Sequence, residues 1–177
     1  MGSNLYDKIV SQRGSLENLV ARIPGFRGYQ DKQARRHADR MLREFLVSQL
    51  DQHIDHFKRV QNDILDRKGL MGMGRAREVQ TKLQTYRDML NAAAPGYDGM
   101  WAQMKIESED LARIYAFDEA QIVYIDKIAA AVDAVEETLN NDGDLKQALS
   151  ALYDTVVESM EAFRLRDDVL TNLAQSL

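Results

Sequence analysis

Cysteine is absent from this chain of 177 residues, and proline occurs twice. Without cysteine there are no disulfides, no thiolate metal sites and no cysteine nucleophile. A reducing, cytoplasmic setting fits that composition. The N-terminal stretch MGSNLYDKIVSQRG has no basic start followed by an apolar core, so it does not read as a secretory signal. No apolar run approaches the ~18 residues of a membrane span, so any meeting with a membrane is expected at its surface. Phosphate-loop and nucleophile-elbow patterns are missing too: there is no Gly-x-x-x-x-Gly-Lys-Ser/Thr and no Gly-x-Ser-x-Gly. Alternating apolar and polar residues, the mark of a half-buried strand, do not run to useful length.

Hydrophobic residues make up 45% of the chain and charged residues 29%. That balance and length suit one helical domain, residues 1–177, with a real core. Apolar residues recur at helical spacing almost throughout. A first stripe runs through Leu5, Ile9, Leu16, Leu19 and Ile23, with Gly14 as a weak point. A second, from about Asp31 to Arg67, runs through Ala38, Leu42, Leu46, Phe57, Val60 and Ile64, and thins between Leu46 and Phe57. The glycine-rich KGLMGMG at 68–74 reads as a loop. A third helix is predicted over about 75–93. A fourth opens near Ser108, an N-cap candidate followed by Glu109 and Asp110. NNDG at 140–143 is a turn signal, and the last helix reaches the C-terminus. The expected fold is all-α: an elongated antiparallel bundle of about five helices, three of them long.

Both prolines sit in echoing stretches, PGFRGY at 24–29 and PGYDGM at 95–100. Proline stops the preceding helix, and the following glycines supply sharp bends. Gly28 and Gly99 are expected to need backbone angles that a side chain penalises. The aromatic content of these turns is unusual: Phe26 and Tyr29 in one, Tyr97 and Trp101 in the other. Either the rings fold back to plug the end of the bundle, or they form an exposed docking surface for a partner or a lipid interface.

Charge is divided unevenly. Residues 1–91 carry a net +6 and residues 92–177 a net −11. The basic excess concentrates in 22–43, at net +5. There Arg36, Arg40 and Arg43 are expected to share a helix face turned away from the apolar stripe, and Arg35 and Asp39 form an i,i+4 pair. This face is a candidate for pairing with the acidic half, or for binding the phosphates of a lipid. Nucleic acid ranks below lipid, because no base-reading pattern accompanies the basic segment. Asp118, next to the apolar stripe and near Tyr115, is expected to act as a structural latch that takes its cation from the basic segment. His53 and His56 lie one turn apart, but Glu-x-x-His is missing and every histidine falls on one predicted helix. They are the weak candidates in a chain otherwise expected to hold no metal and no cofactor.

The segments GYQDKQARRHADRMLREFL and GYDGMWAQMKIESEDLARIYAFD resemble an uncharacterised family of all-helical bacterial proteins. That pattern has Gly-Tyr ahead of an Arg-rich segment ending in Ala-Asp and Leu-Arg, then a Gly-Tyr-x-Gly-aromatic turn leading to Phe-Asp. It covers residues 24–43 and 96–118, and departs from the family at His37, where the pattern has Glu. The resemblance implies a loose association with stomatin/flotillin-type membrane scaffolds, and it carries no catalytic activity.

Together these features lead to the expectation of a non-enzymatic scaffold or adaptor. It would form a homo-oligomer and bind a protein partner, in the cytoplasm or at a membrane periphery. An alternative is a peripheral membrane protein that binds anionic lipid through the basic face and aromatic turns. A second alternative is a metal-dependent helical-bundle enzyme.

Overall fold

A computed structural model describes residues 2–12, 14–92 and 97–176, with the side chains of Ser3, Tyr97 and Asp98 outside that description. The described chain is all-helical, without a strand. Its helices are α1 (Gly2–Ser11), α2 (Leu16–Arg22), α3 (Arg35–Lys68), α4 (Met73–Asn91), α5 (Tyr97–Gln103), α6 (Ser108–Asn140) and α7 (Leu145–Gln175), with a 3-10 turn at Leu70–Gly72. At 1.5 Å per residue, α3, α6 and α7 each measure roughly 45–50 Å.

Among the described residues there are seven helices where about five were expected, and the difference has local causes. The first predicted segment breaks at Gly14, and Ser15 restarts it: its hydroxyl accepts a hydrogen bond from the Asn18 N–H at 3.3 Å, an N-cap. A Cβ on Gly14 would collide with the backbone of Tyr115 and Ala116 in α6, so glycine here permits direct contact between main chains. The second difference is α5, which folds from part of the stretch read as a turn. α3 also starts later than predicted, because Asp31 holds a turn: its carboxylate accepts from the Gln33 N–H at 3.0 Å and its carbonyl from the Ala34 N–H. The NNDG signal is a turn, with Asp142 at φ 51° and the Gly143 N–H donating to the Thr138 carbonyl.

Gly25 and Gly28 both adopt positive φ, +79° and +78°. At Gly28 a Cβ would also strike the Tyr115 hydroxyl, so this position excludes a side chain twice over. Gly99 does not behave as expected. It lies inside α5 without positive φ and with nothing within 4 Å of a Cβ placed on it. Pro95 and Gly96 lie outside the described residues.

The chain divides into two compact units. One comprises Met1–Leu46, Leu90–Ile122 and Glu161–Leu177; the other comprises Val47–Met89 and Val123–Met160. The core of the first is built from Leu19, Leu42, Leu46, Ile114, Phe117 and Leu170, with several aromatic rings. The second buries Phe57, Val60, Ile64, Leu83, Ile128 and Leu152. On α3 the stripe does not thin as predicted, since Leu50 and Ile54 are buried in the same row. Spacings of three and four residues carry that row down one face of the helix. Among the described residues no helix is long and apolar enough to cross a membrane.

Candidate functional site

The densest polar feature lies in the core of the first unit. Tyr29 leaves the Pro-Gly turn directly after Gly28, and the turn points its ring inward. The ring stacks on Trp101 (centroids 5.3 Å apart, planes 3° apart) and on Tyr115 (5.7 Å), and meets Phe26 edge-on at 5.8 Å. Two hydrogen bonds fix its backbone. Its N–H donates to the Tyr115 hydroxyl at 3.0 Å, and its carbonyl accepts from Arg35 Nε at 2.8 Å. Arg35 also donates to the Met104 carbonyl at 2.8 Å. This arginine therefore ties the aromatic turn to the chain that follows α5, and it does not form the expected i,i+4 pair with Asp39.

At the far end of the Tyr29 ring the hydroxyl donates to Asp118 Oδ2 at 2.6 Å. Asp118 Oδ1 accepts from Arg166 Nε, also at 2.6 Å. Arg166 Nη2 donates to Asp39 Oδ1 at 2.7 Å and reaches the Tyr29 hydroxyl at 3.2 Å. Asp39 Oδ2 accepts from Arg43 Nε at 3.0 Å. Asp118 is 0% exposed, and Asp39 and Arg166 are each 1% exposed. Two arginines thus face two carboxylates, which neutralises charge that would be costly to bury alone. Burial pushes the Tyr29 phenol well above its ordinary range, reinforced by the neighbouring Asp118 charge. Burial also raises the Asp118 carboxyl, against the lowering pull of Arg166.

This arrangement is a latch. Both oxygens of Asp118 and both of Asp39 are taken up by donors from the same core, so neither carboxylate is poised to take a proton from a substrate. Asp118, expected to take its cation from the basic segment, takes it from Arg166 of α7, and Tyr115 meets the same network through the Tyr29 N–H. Arg166 was the residue missed. It occupies a stripe position of α7, with Phe163 three residues before and Leu170 four after, where an apolar side chain would be ordinary. An arginine at that register was the available signal.

Of the residues expected on a docking surface, Phe26, Tyr29 and Trp101 are buried. Their rings pack on one another and on Tyr115, so they do not offer themselves to a partner or a lipid. The Tyr97 ring lies outside the described residues. Arg36 and Arg40 are exposed on α3, but Arg43 is half-buried and committed to Asp39, so the three do not form one open basic face.

His53 and His56 belong to the second unit. His56 stands between two carboxylates of α6, with Nε2 at 3.0 Å from Glu136 Oε2 and Nδ1 at 3.6 Å from Asp133 Oδ1. His53, one turn earlier, is half-buried, and that burial lowers its pKa against the opposing pull of Asp126 and Asp133. The sequence pattern placed the histidines together but did not reveal that their acidic neighbours come from another helix. Comparison with family models, curated proteins and solved structures yields no match to this chain.

Proposed function

We propose that the protein is a non-enzymatic helical adaptor that self-associates and binds a protein partner, in the cytoplasm or at a membrane periphery. One observation carries this reading. The apolar residues of the long helices are largely buried, whereas Met71 is 99% exposed and Leu70 is 71% exposed on the 3-10 turn between α3 and α4. Two neighbouring large apolar side chains presented to solvent at a helix junction are costly without a partner. Beside them lies a cavity of about 490 Å³, whose lining includes Gly72, Gly74, Leu145 and Leu149. Met71 of one copy fits a recess of that kind on a second copy, which is the pattern of a self-complementary two-fold contact.

Within the second unit we read the helices as an antiparallel bundle. Arg87 of α4 pairs with Asp51 of α3 at 2.5 Å, and Gln61 further along α3 reaches the carbonyl of Ala76 at the start of α4. Such an assembly would present the turn at one end.

A peripheral lipid-binding role is the second reading, favoured by the exposed Arg36 and Arg40. The cations nearest the apolar turn argue for a protein contact instead. Lys68 pairs with Asp142, and Arg75 pairs with Glu78 and covers the Tyr153 ring, so two of the cations beside the turn are already engaged with groups of this chain. Light scattering after gel filtration tests the self-associating reading: the parent should elute as an oligomer and Leu70→Asp/Met71→Asp as a monomer. Sedimentation with phosphatidylserine vesicles that is abolished by salt would instead favour the lipid role.

A further inference from the structure

We propose that His56, Asp133 and Glu136 bind one divalent transition-metal ion, with Zn²⁺ the best match to the donor set. The three side chains come from two long helices of the second unit, α3 and α6. Each offers a ligand atom, and these atoms all lie within 4.8 Å of one another. Asp133 and Glu136 are three residues apart, so they project from one face of α6 toward the same imidazole. One nitrogen and two carboxylate oxygens form a mixed set that suits zinc, while the imidazole disfavours magnesium and calcium. Two carboxylates also match the charge of a divalent cation. All three side chains are partly exposed, Asp133 most of all at 71%, so an ion can enter and water can complete its coordination.

His56 directs its two ring nitrogens to different carboxylates, and this decides how the ion would sit. A metal takes one imidazole nitrogen, and the other nitrogen needs an acceptor to fix the ring. Nε2 with Glu136 is the shorter and more enclosed contact, so the ion is placed there. Asp133 is exposed enough to rotate from Nδ1 onto the ion, leaving water to accept from Nδ1. His53 lies one helical turn away, close enough to feel Asp133. The bound ion would cross-link α3 to α6.

Calorimetric titration of the full chain with ZnCl₂ tests this, with MgCl₂ as comparator. The expected result is saturable zinc binding with one ion per chain and no comparable response to magnesium. His56→Ala should weaken it at least ~10-fold, the range typical for loss of a group at a metal site. Glu136→Gln should weaken it in the same direction, and the exposed His37→Ala should leave it unchanged. Zinc should raise the melting temperature of the parent and not that of His56→Ala. Melting each variant without metal checks that it is folded, and Glu136→Gln gives the reading if His56→Ala is not. No saturable binding by the parent, equal binding by both variants, or a larger loss at His53→Ala than at His56→Ala would overturn the assignment.

Discussion

Arg166→Met removes the guanidinium that touches both Asp118 and Asp39 while keeping a long side chain to fill the space. Asp118 loses its 2.6 Å bond to Nε, and Asp39 loses its 2.7 Å bond to Nη2. Asp39 keeps Arg43, and Asp118 keeps the Tyr29 hydroxyl. Breaking a buried ion pair from one side costs about 3–5 kcal/mol, because a carboxylate is left without compensation. For a chain of this size each kcal/mol moves the melting temperature by roughly 2–4 °C. The variant should therefore melt on the order of 6–20 °C below the parent by circular dichroism. Arg166→Lys keeps the charge, but a compact ammonium does not reproduce the planar fork that serves both carboxylates, and about 1–3 kcal/mol should still be lost. Adding Asp118→Asn to Arg166→Met removes the uncompensated charge and should recover at least about 1 kcal/mol. An Arg166→Met variant within about 1 kcal/mol of the parent would refute the latch, since nothing else in that core explains an arginine buried to this degree.

Gly28→Ala should destabilise by about 1–3 kcal/mol, because it meets both a positive φ and the Tyr115 hydroxyl, whereas Gly99→Ala in α5 should be neutral or stabilising by up to ~1 kcal/mol; paired thermal melts check the contrast. His53, with Asp126, Asp133 and His56 around it, has a pKa lowered by burial, so the unfolded chain takes up that proton first as pH falls. Its neutral form costs nothing above the ordinary histidine value of about 6.5, and stability is lost as pH drops through that value. His53→Gln should therefore lose less stability than the parent between about pH 7.5 and about pH 5.5, as read from urea midpoints.

The helices were legible because burial imposes its period on the sequence. The α3 row from Leu42 to Ile64 could be read directly, and its apparent gap at Leu50 and Ile54 closed on folding. Gly14 was visible as a weak point, but its reason was not. The contact with the Ala116 backbone pairs residues about a hundred positions apart, and periodicity carries no such information. The same limit applied to the latch. Asp118 was recognisable as a carboxylate near an apolar stripe that needed a partner, and the basic segment was the nearest abundant source. Proximity in space chose Arg166 instead, one of the few cations of the acidic half, whose place on a buried stripe was the better guide. Gly99 was misjudged by analogy with Gly28: the two stretches share a pattern, but YDGMWAQ at 97–103 forms a helix and GFRGY does not.

Because the chain has no cysteine, Met71→Cys introduces a single thiol at the tip of the exposed turn. If two copies meet there about a two-fold axis, mild oxidation should link them into covalent dimers, since a disulfide requires Cα atoms within about 7 Å. Non-reducing electrophoresis gives the measurement, with Gln52→Cys as an exposed thiol on α3, roughly 24 Å along the helix from Lys68 and so away from the apolar turn. The account predicts rapid, near-complete dimer formation for Met71→Cys and little for Gln52→Cys. Equal, slow cross-linking of the two variants would contradict self-association through Leu70 and Met71.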